Sequence, residues 1–69
     1  MKVFGTSHYW EGSDQYRAVV ATKTKKRAAE FFNVSMYTFN NYACVTKNKE
    51  EVELALAQPE TLIKMRKGG

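Results

Sequence analysis

The chain has 69 residues, a formal net charge of +4, an apolar fraction of 43% and an aromatic fraction of 13%. A chain this short buries only about 60% of the surface it exposes when unfolded, so one small core is expected, and its apolar content excludes disorder along the whole length. A single cysteine, Cys44, and a single histidine, His8, exclude an internal disulfide and a four-ligand zinc set, and neither a membrane-crossing apolar run nor a secretion signal is visible, so a reducing cytoplasm is the expected setting.

Lys2 to Phe4 and Tyr16 to Thr22 read as extended, the second run rich in Val and Tyr with Arg17 on the alternate face. Glu11-Gly12-Ser13-Asp14 between them is turn material, so a hairpin is expected, with His8, Tyr9 and Trp10 near its first arm or loop. Trp10 is expected to pack on the hairpin rather than stack on a ligand. His8 alone supports no chemistry.

A helix should open after Thr24, whose hydroxyl can cap it, and run to Phe32, with Ala28, Ala29 and Phe32 as its apolar stripe. Its first turn is Lys25-Lys26-Arg27, preceded by Lys23. The macrodipole favours anions at that end by about 0.3–1 kcal/mol per charge. Cations crowded there repel the dipole and one another, an arrangement that makes sense if a phosphate completes it. The bland alternative is a solvated, solubilising cluster.

Asn33 suits the left-handed backbone that closes a helix, Val34 follows as an apolar plug, and Ser35 can cap a second helix. Met36, Phe39 and Ala43 share one face of that helix, with Tyr42 beside them, which turns Tyr37, Thr38, Asn40 and Asn41 outward. These residues resemble the helix-turn-helix of phage repressors and related regulators. The likeness spans Lys25 to Cys44 and lies in the small Ala29, the apolar pair Phe32 and Val34, Asn33 where the family usually has glycine, and the apolar Phe39. It implies a recognition helix from Ser35 to Ala43, base-contacting residues Ser35, Met36, Tyr37, Asn40 and Asn41, and phosphate-binding residues Lys23, Lys25, Lys26 and Arg27. Asparagine bonds adenine through N6 and N7 in the major groove, and Met36 or Tyr37 can touch a thymine methyl. The helix departs from the family's commonest specific contact, arginine to guanine, because it carries neither Arg nor Lys.

Asn48-Lys49-Glu50-Glu51 resembles a capping box opening a third helix, with Val52, Ala55 and Leu56 as its face and Pro59 ending it. Thr61 to Arg66 alternates, setting Ile63 and Met65 against Lys64 and Arg66, as a half-exposed strand does. The expected fold is a small single α+β domain over residues 1–66, ordered β-β-α-α-α-β, with a three-stranded antiparallel sheet packed on a three-helix unit and a disordered tail at 67–69.

No nucleophile and base pair, glycine-rich phosphate loop or acidic metal cluster can be seen, so no catalysis, cofactor or metal is expected. The layout of the whole chain also resembles short phage and mobile-element proteins, for which the compartment is the host cytoplasm. Two partners remain open. Double-stranded DNA is the first, met by a transcription regulator acting as a two-fold homodimer through the edge that carries Ile63 and Met65. The alternative is a host protein, bound by an inhibitor or adaptor through Met36, Tyr37 and the hairpin aromatics.

Overall fold

Ala18-Val19-Val20-Ala21 is apolar at every position, and a strand of that kind is buried on both faces rather than one. In the computed structural model, which describes residues 1–67, this run forms the centre of β2 (Asp14–Thr22), and none of its side chains reaches solvent. β2 pairs antiparallel with β1 (Lys2–Glu11) through a two-residue turn in which only Gly12 takes a positive φ, 64°, the glycine placement of a type II′ hairpin. The chain continues through α1 (Lys25–Phe32), α2 (Met36–Tyr42), β3 (Ala43–Val45), α3 (Lys49–Ala57) and β4 (Ile63–Lys67). The sheet is antiparallel and four-stranded, in the order β3-β1-β2-β4.

Period-two alternation divides the core between the two faces of this sheet. On one face Phe4, Ala18 and Val20 meet Ala28, Ala29 and Phe32 of α1 and Phe39 of α2. On the other, Val3, Val19 and Ala21 meet Ala55 and Val52 of α3, with Ile63 and Met65 of β4 beside them. The small α+β class is as expected, but the sheet has four strands, not three. The helices also form no three-helix unit, because a sheet with two apolar faces needs one cover on each. Leu56, assigned to the core face, is exposed, and Trp10, expected to pack, is 58% exposed on the hairpin. Of the expected tail at 67–69, Lys67 closes β4 and the remainder lies outside the described residues.

β3 escapes a reading by pattern because three residues are too few for alternation to register. It forms where Ala43 leaves α2 with φ −124° and ψ 153° and the chain runs straight into pairing with β1, Phe4 opposite Val45 and Thr6 opposite Ala43. The Thr6 hydroxyl donates to the Tyr42 carbonyl at 2.9 Å, satisfying one of the carbonyls that end α2.

A polar network ties the α3 side together. Arg17 projects from β2 across β1 at Gly5, where an added Cβ would lie 2.7 Å from the guanidinium. Arg17 Nε and Nη2 donate to the two Glu51 oxygens at 2.9 and 2.7 Å. The Thr46 hydroxyl donates to Glu51 at 2.7 Å, and the Thr46 backbone N–H donates to Val3 O, which continues the β1–β3 ladder. The hydrogen bonds to Glu51 raise the Arg17 pKa above its ordinary value against the opposing effect of burial. Glu51 is 4% exposed, and breaking such a pair leaves a buried charge uncompensated.

Glu51→Ala is therefore expected to lower stability by about 3 kcal/mol, and the double variant Arg17→Met/Glu51→Leu to regain most of that loss. Denaturant midpoints check both, and a double variant as weak as the single would refute the unpaired-charge explanation. The buried Thr22 hydroxyl has no hydrogen-bond partner among the described residues, so Thr22→Val should raise stability by about 1 kcal/mol, read as a higher melting temperature.

Candidate nucleic-acid interface

The segment Lys23 to Tyr42 folds as its local chemistry dictates. Thr24, in extended conformation, accepts the Arg27 N–H on its hydroxyl at 3.1 Å and starts α1. Asn33 takes φ 57° and ψ 45°, its N–H donating to Glu30 O while the Val34 N–H donates to Ala29 O, both at 3.1 Å, so the left-handed residue closes the helix. Ser35 caps α2, accepting the Thr38 N–H at 3.2 Å and donating to the Thr38 hydroxyl at 3.2 Å. Phe39 alone among the residues of α2 is buried, edge-on to Phe4 with ring centroids 5.5 Å apart and stacked on Phe32 at 6.1 Å. That ring fixes which face of α2 points outward.

Lys23, Lys25 and Lys26 are exposed, and none is joined to a carboxylate by an ion pair among the described residues. Arg27 differs. Its guanidinium lies 5.0 Å from the centroid of the Phe31 ring, and its Nε is 3.7 Å from Glu60, so it is partly engaged by the protein itself. On α2, Tyr37 is 80% exposed, and Met36, Asn40 and Asn41 also face solvent. The Asn41 amide donates to Tyr37 O at 2.9 Å and the Ser35 hydroxyl is engaged by Thr38, whereas the Asn40 amide has no hydrogen-bond partner among the described residues. Lys25 and Asn40 line one cleft of about 220 Å³ together with Phe4, Phe39, Ala43, Cys44 and Val45. Arg27 lines a separate hollow with Glu30 and Phe31.

Two cations missed in the sequence join this end of the sheet. Lys2 pairs opposite Thr22, one residue before Lys23, and Lys47 follows Thr46, whose N–H is bonded to Val3. Both are exposed and far from the cluster in sequence, so only strand pairing reveals their common location. The opposite end, at the hairpin turn, carries Glu11, which pairs with Lys64 at 3.0 Å.

Cys44 is a free, exposed thiol. Among the described residues no group of His, Cys, Asp and Glu is placed to hold a metal ion, and no helix is long and apolar enough to cross a membrane. No protein-family model matches the chain, and neither curated proteins nor solved structures give a significant match.

Because Glu60 holds Arg27 at 3.7 Å, Glu60→Gln is expected to release that guanidinium; if this face meets duplex DNA, binding then tightens and its salt dependence steepens by up to about one unit of log–log slope. A titration at two salt concentrations measures this. An unchanged slope would remove Arg27 from the interface.

Proposed function

We propose that this protein binds double-stranded DNA, as a small transcription regulator of the phage or mobile-element kind. In this reading Lys23, Lys25, Lys26 and the released Arg27 hold phosphates, Lys2 and Lys47 extend the positive track, and α2 lies in the major groove as the second helix of a helix-turn-helix. The observation that carries the reading is the pairing of an unengaged cation with an unengaged amide: Lys25, in the first turn of α1, and Asn40, on the outer face of α2, open onto the same cleft. Phosphate contacts position a protein on DNA and base contacts specify the site, and this end of the molecule offers both kinds of group side by side. The absence of Arg and Lys from α2 makes the specific contribution modest, resting on Asn40, on the free oxygen of Asn41 and on apolar contacts from Met36 and Tyr37.

A recognition helix of 7 residues reads few base pairs, so a two-fold dimer reading two half-sites is part of the proposal. Ile63 and Met65 are half-buried against the α3 side of the core, so a second copy would meet the backbone edge of β4 rather than those side chains. A second reading, an inhibitor or adaptor that binds a host protein, draws on the exposure of Tyr37, Met36, Trp10 and Tyr42, since aromatic residues and Met are enriched at interfaces.

Neutralising Lys25 and Lys26 together should weaken binding to every duplex alike and reduce the salt slope by about two units. Asn40→Ala should instead cost about 1–3 kcal/mol, and only at target sites with adenine at the contacted position. Mobility-shift titrations of mixed duplex DNA at two salt concentrations test both. Failure to retard any duplex at low salt, together with one stoichiometric protein recovered from host lysate, would replace DNA by a protein partner.

A further inference from the structure

The cleft between the first turn of α1, the outer face of α2 and β3 has a floor that an ordinary groove-reading surface does not need. It is lined by Phe4 and Phe39, which are only 1% and 2% exposed, by Ala43, by the exposed Cys44 and Val45, and by the polar residues Lys25 and Asn40. Its volume of about 220 Å³ is several times the ~30 Å³ share of one water molecule. That is below the ~300–1,000 Å³ typical of pockets for drug-sized ligands, so the occupant is one small planar group rather than an extended molecule. An apolar floor suits a ring, an amide with both a donor and an acceptor suits the edge of that ring, and an ammonium at the mouth suits an attached phosphate.

We propose that this cleft admits a single unstacked nucleobase of a DNA strand, with adenine preferred, Asn40 bonding its edge and Lys25 pairing with the phosphate of the same nucleotide. The inference rests on the DNA-binding reading and goes further, since a base inside a continuous duplex stack cannot enter a recess. Asparagine is the residue type matched to adenine N6 and N7. The two side chains are available for these contacts because neither is held by another described residue. Asn41, one residue further along α2, is tied to Tyr37 O and does not line the cleft.

Three duplexes that share the same flanking sequence test the proposal by fluorescence anisotropy at low salt: one fully paired, one with a single extra unpaired adenine nucleotide in one strand, and one with an abasic residue in place of that nucleotide. The unpaired adenine should bind about tenfold more tightly than the abasic duplex, within the range of one good bidentate contact between an asparagine and an adenine edge. Asn40→Ala should erase that difference, while Lys25→Ala should weaken all three and preserve their ratio. Both residues are exposed, and an unchanged circular dichroism melt confirms that the variants fold. Equal affinity for the adenine and abasic duplexes overturns the base pocket but leaves duplex binding standing. No binding to any of the three overturns the underlying DNA reading. Displacement of the unpaired-adenine duplex by free deoxyadenosine monophosphate at comparable concentration would also overturn the proposal, because the cleft would then serve a free nucleotide.

Discussion

Strand β2 has no side that tolerates water between Ala18 and Ala21, and the arrangement of the helices follows from that. Burial of apolar surface contributes about 25 cal/mol per Å², and a sheet of this size satisfies that demand only with a cover on each face. α1 and α2 supply one, built round Phe32 and Phe39, and α3 supplies the other through Ala55 and Val52. Separating the helices in this way leaves the first turn of α1 and the outer face of α2 together on one side. Had the three helices bundled, α3 would have competed for that surface.

The Arg17–Glu51–Thr46 network holds the second cover in place and bears indirectly on the candidate site. Thr46 is bonded to Glu51 through its side chain and to Val3 through its backbone. Its position sets where β3 runs beside β1, and β3 forms one wall of the cleft shared by Lys25 and Asn40. Gly5 makes the crossing of the guanidinium possible, since any side chain there would meet it. An ion pair on one face of the sheet thus positions the wall of a recess on the other.

Local chemistry was legible in the sequence and long-range pairing was not. Thr24, Asn33, Ser35 and Asn48 each cap or close the helix assigned to them, because capping depends on a few neighbouring residues. Lys23, Lys25 and Lys26 are exposed as anticipated, and so are Tyr37, Asn40 and Asn41, whereas Met36, which the periodicity placed on the face of Phe39, is exposed as well. Glu51 reads locally only as part of a capping-box-like helix start, and its burial depends on Arg17, 34 positions away. The apolar run of β2 contained the signal for a two-sided sheet, but a three-residue β3 and the approach of Lys2 and Lys47 to the cluster depend on register, which composition does not encode. Trp10 was expected to pack on the hairpin, yet it pairs opposite Gln15 next to the turn and is 58% exposed.

α2 reaches the hydrophobic core through one ring, and its last turn is tied to β1 by the Thr6–Tyr42 hydrogen bond and the His8–Tyr42 ring contact. Seven residues are too few for a helix to persist in water unaided, and Phe39 is its sole buried residue. The end joined to β3 is anchored by strand pairing, while the end at Ser35 depends on its cap. Amide exchange should therefore begin there, well before the central strands open. Any ligand grasped by the outer face of this segment would suppress that opening, so that occupancy would register as slower exchange and added thermal resistance even where no change of shape accompanies it.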